Sequence, residues 1–211
     1  GKECALTAKA LGELLERERV PDVYKVAVVG RFKAGKSSFV NELLGNQLAS
    51  EGTLPETAAV TTFRHGLNIR ASIRFLDKAA WESLKAIYAE TPKYVHAHRV
   101  QSWVGFATPK KSKDGEPEKV FDLAALEQEY VREENHSLVL ELPANATEKE
   151  IKEFRRKLKE FTSATSPLHC LVDKIDMEAP ADILDEGVEL IDTPGLDDTE
   201  QFRVTLTERV V

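Results

Sequence analysis

The feature that most constrains this chain is a glycine-rich turn between an apolar run and a helical pattern. The run at residues 24–29 leads into residues 30–37, which read G-x-x-x-x-G-K-S. In this pattern the backbone N–H groups cradle a polyphosphate, the lysine reaches its β- and γ-phosphates, and the serine hydroxyl ligates Mg²⁺. The strand-like and helical flanks argue against a chance glycine turn. The sequence therefore predicts a phosphate-binding loop.

Each residue type in the loop has a physical role. We expect Gly30 and Gly35 to let the backbone curl around the phosphates. The helix that opens at Lys36 adds the positive end of its dipole, and Lys36 itself is a candidate catalytic residue. Ser37 is a candidate Mg²⁺ ligand. The predicted nucleotide contacts within the motif are Gly30, Ala34, Gly35, Lys36, Ser37 and Ser38.

Composition narrows the function classes. The 211 residues carry a net charge of −7, which argues against bulk binding to nucleic acid. No apolar run approaches the roughly 18 residues that cross a bilayer. Cys4 and Cys170 are far apart and fit no metal or redox spacing, so we expect free thiols in a reducing cytoplasm.

Alternating strand and helix patterns predict a three-layer α/β fold with a mostly parallel sheet. Predicted strands cover residues 59–64 and 69–75 as antiparallel neighbours, and residues 169–177 and 188–191. The segment at about 77–167 interrupts the alternation, and we interpret it as a mainly helical insertion. Its first two predicted helices run from the N-cap Asp77 to about residue 90 and from Leu123 to about residue 134, and residues 108–119 are expected to form a polar loop between them. A third begins at a capping box formed by Thr147 and Glu150 and ends at about residue 161. The predicted apolar stripe of this third helix consists of Ile151, Phe154, Leu158 and Phe161.

A second motif follows the last predicted strand. Residues 192–195 read D-T-P-G. A carboxylate at the tip of a parallel strand lies beside the phosphate loop, so Asp192 would hold Mg²⁺ through a water. The Gly195 N–H is expected to meet the γ-phosphate, since glycine leaves no side chain in the way.

With these motifs the chain resembles a GTPase of the TRAFAC class, and among these the bacterial dynamin-like proteins. The blocks at 30–45, 54–66 and 189–199 carry the resemblance. It implies that residues 21–211 are the N-terminal portion of a GTPase domain, with GTP as substrate and Mg²⁺ as cofactor. It also implies that Thr57 ligates Mg²⁺, senses the γ-phosphate and acts in catalysis. Thr61 and Thr62 are rivals, although they fall inside a predicted strand.

Two positions depart from related enzymes. Leu196 stands where Ras-like enzymes have a glutamine that orients the attacking water. Dynamin-like proteins share this departure and complete the site by dimerising across the nucleotide face, so we expect a nucleotide-dependent homodimer.

Lys33 stands where many dynamins have a serine and where guanylate-binding proteins have an arginine finger. It is therefore a candidate nucleotide-binding and catalytic cation, and the alternative is that it points to solvent.

The base-reading N/T-K-x-D motif does not follow Asp192 in this sequence, so guanine preference rests on the resemblance. We expect the sheet to be incomplete at its C-terminal side, with an apolar exposed edge, and the chain to be either a fragment of a longer protein or a piece that needs a partner segment. Residues 1–20 are expected to form an amphipathic helix, either a segment of a helical bundle or a plain docking helix.

Three functions compete at this point. The first is a GTPase coupled to membrane remodelling, cytoplasmic and peripheral at the inner membrane. The second is a GTP-dependent switch that binds a protein partner, and the third is an ATP-dependent protein.

The helix at 149–160 carries six Lys/Arg against three Glu. It is a candidate contact for an anionic membrane surface, although such helices usually leave their charges in solvent.

Overall fold

A six-stranded sheet lies at the centre of the protein. The computed structural model describes residues 23–30, 34–45, 48–49, 60–92, 98–107, 121–143, 145–163 and 165–193. The strands are β1 (Tyr24–Val28), β2 (Val60–His65), β3 (Ile69–Phe75), β4 (Ser137–Leu142), β5 (Val172–Ala179) and β6 (Val188–Asp192). The helices are α1 (Lys36–Leu44), α2 (Lys78–Glu90), α3 (His98–Gly105), α4 (Leu123–Tyr130) and α5 (Glu148–Thr162). The strand order is β1-β6-β2-β5-β3-β4.

The sheet is mixed. β1 pairs in parallel with β6, and β2 with β5, whereas the β6–β2, β5–β3 and β3–β4 pairs are antiparallel. The α/β class is as predicted, but parallel pairing among the described strands is confined to two of the five neighbouring pairs. The reason is the connection at residues 66–68, which is too short for a parallel crossover and therefore reverses the chain between β2 and β3.

The prediction that β2 and β3 are direct neighbours is wrong, because β5 lies between them. The chain crosses over the end of β5, where the Gly66 N–H donates to the carbonyl oxygen of Ala179 at 3.1 Å. A Cβ at position 66 would lie 2.7 Å from the Cβ of Glu178. Glycine at this position therefore lets the connection pass close to the strand beneath it.

One face of the sheet and the helices against it form the core. Of the predicted apolar stripe of α5, Phe154, Leu158 and Phe161 are buried in it and Ile151 packs half-buried against it, and Thr147 and Glu150 make the predicted capping box. Asp77 caps α2 as predicted, accepting a hydrogen bond from the Ala80 N–H at 2.8 Å. The largest fully buried side chains of the core include Trp81, Phe63, Phe75, Ile73, Leu171, Ile175 and Met177.

The opposite face of the sheet is polar. One row across the strands, which we call the charge row, holds a charged residue from each strand with alternating sign. The Arg64 Nε donates to the Glu189 Oε1 at 2.6 Å, and Arg70 lies 3.4 Å from Glu178. The row consists of Lys25, Glu189, Arg64, Glu178, Arg70 and Glu141.

Several element bounds differ from the predictions. The strand expected from residue 169 begins at Val172, because Pro167–Cys170 forms a short 3₁₀ helix. The helix expected to reach residue 134 ends at Tyr130, and β4 and α3 were not predicted. β4 pairs with β3, so part of the segment at 77–167 belongs to the sheet.

Other expectations concern the remaining residues. The helix expected within residues 1–20, the polar loop at 108–119, Cys4 and the segment after residue 193 lie outside the described residues. Cys170 is buried and forms no disulfide within the described residues. Within the part of the chain that the structure describes, no helix is long and apolar enough to cross a membrane.

Candidate nucleotide-binding site

The parallel pair β1–β6 brings the two sequence motifs together. Its register places Val28, at the end of β1, opposite Asp192, at the end of β6. The fully buried Thr193 hydroxyl then donates to the Val28 carbonyl oxygen at 2.8 Å. This hydrogen bond ties the segment leaving β6 to the strand that leads into the phosphate loop.

The loop enters α1 through a left-handed residue. Gly35 has φ 81° and stands at the N-cap, and Gly45 with φ 63° ends the helix. Gly30 does not have a positive φ. A Cβ there would lie 3.6 Å from the Cδ of Lys36, in ordinary contact. Of Gly30 and Gly35, only Gly35 therefore adopts a backbone conformation that requires glycine.

Lys36 folds back over the start of the loop. Its Nζ donates to the Gly30 carbonyl oxygen at 3.1 Å, and its side chain is half-buried. The first N–H groups of α1 have no acceptor inside the helix, so the helix presents donors and a positive dipole end beside this ammonium. Ala34 and Ser38 are exposed on either side of it. The arrangement offers a cationic, donor-rich cradle for phosphate oxygens.

Ser37 and Asp192 meet directly. The Ser37 Oγ donates to the Asp192 Oδ2 at 2.8 Å, although the two residues are 155 positions apart in the sequence. Asp192 is buried, and its Oδ1 has no hydrogen-bond partner among the described residues. An unsatisfied buried carboxylate oxygen is costly, and it points to a further group at this place.

The electrostatics agree with that interpretation. Burial raises the pKa of Asp192 to about 6, and the hydrogen bond from Ser37 and the charge of Lys36 oppose this rise only in part. Burial disfavours the charged carboxylate, whereas a cation at the Oδ1 would favour it.

These donors suit a small divalent cation. Mg²⁺ is commonly held by one or two protein oxygens, with substrate phosphates and waters completing its shell. A serine hydroxyl and a buried carboxylate match that set. Within the described residues, no group of three or more His, Cys, Asp or Glu is placed to hold a metal. The Ser37 hydroxyl and the Asp192 carboxylate fit a cation that also binds phosphate, since phosphates and waters commonly complete the shell of Mg²⁺.

Four of the residues singled out in the sequence lie outside the described residues, namely Lys33, Thr57, Gly195 and Leu196. Their roles stay predictions. Of the rivals to Thr57, both lie inside β2 as predicted. Thr61 is buried and pairs in register with Asp192, and Thr62 is half-buried.

Sequence reasoning missed Asn41, a buried residue of α1. Its Nδ2 donates to the Ala49 carbonyl oxygen at 3.0 Å, and its Oδ1 accepts from the N–H groups of Leu48 and Ala49 at 2.8 and 2.6 Å. These bonds fasten the chain after α1 back onto that helix. The available signal was an amide side chain among the apolar residues of the buried stripe, beside Val40 and Leu44.

Sequence comparison places this geometry among known proteins. The profile of the Dynamin family matches residues 26–211. The chain is 25% identical over 185 residues to a Dynamin-like protein 1 of Campylobacter jejuni, covering 87% of this chain and 21% of that protein. It is also 25% identical over 178 residues to a bacterial dynamin-like protein of Nostoc punctiforme, covering 84% of this chain and 17% of that protein. The chain thus spans about a fifth of the length of these relatives.

A solved structure shares the fold. It is described as an oligomerised bacterial dynamin pair with a mechanism for long-range sensing and tethering of membranes. The TM-score is 0.54 at 20% identity, covering 96% of this chain and 23% of that one. At this identity the likeness shows the fold alone, which confirms the predicted P-loop GTPase architecture.

Proposed function

The chain belongs to the dynamin family, and from this premise we propose that it binds GTP with Mg²⁺ and hydrolyses the bond between the β- and γ-phosphates. The observation that carries the proposal is the hydrogen bond from Ser37 to Asp192, which joins the phosphate loop to the D-T-P-G motif. A structural role alone would not explain the second, unsatisfied oxygen of Asp192.

Phosphate binding is assigned to the loop and the start of α1. The left-handed Gly35 turns the chain so that α1 begins at Lys36. The free N–H groups of the first helical turn would then donate to phosphate oxygens, and the Lys36 ammonium would exchange the Gly30 carbonyl for the β- and γ-phosphates. Ala34 and Ser38 flank this path, and Gly195 would donate its N–H to the γ-phosphate.

Metal binding is assigned to Ser37, Asp192 and Thr57. The Ser37 hydroxyl would ligate Mg²⁺ directly and Asp192 would hold it through a water. Thr57, the member not described by the structure, would report the presence of the γ-phosphate. The cation, when bound, supplies charge neutralisation as the leaving phosphate departs. The buried Oδ1 of Asp192 supports the assignment, because a hydrated cation would satisfy it.

Catalysis requires a group that orients the attacking water or stabilises the transition state. Leu196 has no group that can orient a water by hydrogen bonding. Two candidate sources of catalytic groups are Lys33, whose charge would act at the β–γ bridge, and a second copy across the nucleotide face. We therefore assign slow turnover to the monomer and faster turnover to a nucleotide-dependent homodimer.

The proposed biological role is membrane remodelling. The similar solved structure is described as tethering membranes. In this chain α5 offers a contact for anionic lipid, since Lys149, Lys152, Lys157 and Lys159 are exposed along it. Arg156 contributes less, because Glu153 and Glu160 already pair with it.

The nucleotide assignment is tested by measuring phosphate release from GTP and ATP, with Mg²⁺ and with EDTA. We expect Mg²⁺-dependent hydrolysis of GTP that Lys36→Ala abolishes. Lys149→Ala is the matched control, because it removes an exposed lysine on α5. Equal or faster hydrolysis of ATP would contradict the guanine assignment, and a fully active Lys36→Ala variant would contradict the site itself.

The membrane assignment is tested separately by co-sedimentation with liposomes of neutral or anionic lipid. We expect binding to anionic vesicles that Lys152→Glu with Lys159→Glu weakens, while GTP hydrolysis without lipid is unchanged. A protein that hydrolyses GTP but sediments with neither vesicle would favour the alternative, a switch that acts on a protein partner.

A further inference from the structure

We propose that the outer edge of β4 is the pairing surface for a second copy of this chain, joined strand to strand about a twofold axis at Val139. Among the described strands β4 stands at the end of the sheet and pairs with β3 alone. The proposal is independent of the nucleotide site, because β1 and β6 lie at the other end of the sheet.

The edge lacks the usual protection of a solvent-facing strand. Proteins guard such edges with lysines, prolines, bulges or very short strands. β4 reads S-L-V-L-E-L over residues 137–142, and its single charge is Glu141. Leu138 is 36% exposed and Val139 is 42% exposed. An apolar, regular edge of this kind is a template for pairing with another strand.

The hydrogen bonds between β4 and β3 identify which residues of β4 direct their backbone N–H and C=O groups away from the sheet. The Phe75 N–H donates to the His136 carbonyl oxygen at 3.0 Å, so residue 136 points its backbone groups towards β3. Antiparallel strands alternate in this respect. Leu138 and Leu140 therefore bond to β3, whereas Ser137, Val139 and Glu141 direct their N–H and C=O groups away from the sheet.

A twofold axis at Val139 uses all the outward groups. Val139 then exchanges both backbone hydrogen bonds with Val139 of the second copy, and Ser137 does so with Glu141 of the second copy. An axis at Leu140 is poorer, because it sets Ser137 opposite Pro143, which has no N–H to donate. Of these two axes, the one at Val139 therefore allows more backbone hydrogen bonds between the copies.

Charges in the sheet fit this register. The side chain of Glu141 would lie between Arg70 of its own sheet and Ser137 of the second copy. Beyond that serine comes Arg74 of the second copy, because Arg74 pairs with Ser137 in the β3–β4 register. Across the proposed interface, no like charges therefore stand side by side.

The apolar side chains fit as well. On the other face of the strand, Leu138 of one copy would stand opposite Leu140 of the second. Beside them lies a groove of about 730 Å³ between β4 and α5, with Leu140, Leu142 and Phe154 among its walls. Pairing would cover this apolar lining in both copies, which adds side-chain burial to the backbone hydrogen bonds.

The experiment measures self-association of the full protein without nucleotide by analytical ultracentrifugation. We expect a dimer that Val139→Lys weakens at least tenfold, because it sets two lysines opposite each other at the axis. Leu67→Lys is the matched control, since Leu67 is 83% exposed in the β2–β3 connection. A monomer at the highest soluble concentration, or a dimer indifferent to Val139→Lys, would overturn the proposal.

Cysteine cross-linking tests the register without relying on a disruptive variant. Under mild oxidation Val139→Cys should cross-link to itself, because paired Cα atoms lie about 5.5 Å apart in this arrangement. Ser137→Cys should cross-link to Glu141→Cys when the two proteins are mixed, and less when either is alone. If the cysteine at position 139 neither cross-links nor reacts with a maleimide, another segment covers the edge and the proposal fails.

Discussion

Replacing Asp192 by asparagine should stabilise the protein without ligands while removing its Mg²⁺-dependent activity. Asparagine keeps an acceptor for the Ser37 hydroxyl and carries no charge. Burial raises the pKa of Asp192 from an ordinary value of 3.8 to about 6. At pH 7 and above, the buried negative charge therefore costs the folded state about 3 kcal/mol. The neutral amide avoids this cost, although its buried NH2 group, which replaces the Oδ1 left without a partner in the described part of the chain, offsets part of the gain.

The direction of the pH dependence follows from the raised pKa. Between its unfolded and folded values, the folded protein binds the proton more tightly than the unfolded chain does. The wild-type free energy of unfolding therefore falls as pH rises through about 4 to 6, and the lost stability does not return above that window. The charge-dependent part of the Asp192→Asn advantage should be full at pH 7–8, about half as large at pH 5, about one fifth as large near pH 4, and close to zero near pH 3.

The assay is urea unfolding of both proteins at several pH values in EDTA, without nucleotide. Asp182→Asn serves as the control, because it makes the same chemical change at an exposed position. GTP hydrolysis with Mg²⁺ is measured in parallel and should be lost in Asp192→Asn. A variant no more stable than the wild type at pH 8, or a stability difference that does not vary with pH, would refute the reasoning.

Three further substitutions test the surroundings of the site. Thr193→Val removes the hydroxyl that bonds to Val28, so urea unfolding should show a loss of about 1–2 kcal/mol. Asn41→Ala leaves two buried N–H groups after α1 unsatisfied, and a loss of about 3 kcal/mol is expected by the same measurement. Lys33→Ala should lower GTP turnover about tenfold or more with nearly unchanged nucleotide affinity, if its charge acts only on the transition state.

Each of these has a result that contradicts it. A Thr193→Val protein of wild-type stability would mean that the hydroxyl does not tie β6 to β1. For Asn41, Asn41→Asp is the informative comparison, because it retains the acceptor for both N–H groups and should lose less stability than Asn41→Ala. For Lys33, hydrolysis at the wild-type rate would show that its side chain points to solvent.

Local signals in the sequence predicted the backbone geometry of the candidate phosphate site. The glycine pattern predicted the turn at Gly35, and the apolar strand before Asp192 predicted that this carboxylate would lie beside the phosphate loop, where it accepts a hydrogen bond from Ser37. Both depend on rules that act over a few residues or on the general placement of strand ends in parallel sheets. The cap and buried stripe of α5 were predicted for the same reason.

Strand order was beyond the reach of local patterns. Residues 60–65 and 69–75 look like a hairpin because a short connection joins them, yet β5 comes from about a hundred residues later and inserts between them. Gly66 was the one local sign, since a glycine there lets the chain pass over another strand. β4 was missed because its flanks carry helix signals, and its pairing with β3 is decided by tertiary contact.

The charge row also has a consequence for how the sheet forms. Slipping any strand by two residues keeps its apolar side chains on the core face, so hydrophobic patterning cannot reject that error. In every strand except β5, the same slip replaces the charged side chain in the row with an uncharged residue; in β5, Asp176 can take the place of Glu178. The individual ion pairs are partly exposed and each contributes little to the final stability. The row therefore favours the native register of five of the six strands, at positions where hydrophobic patterning alone does not distinguish it from a two-residue slip.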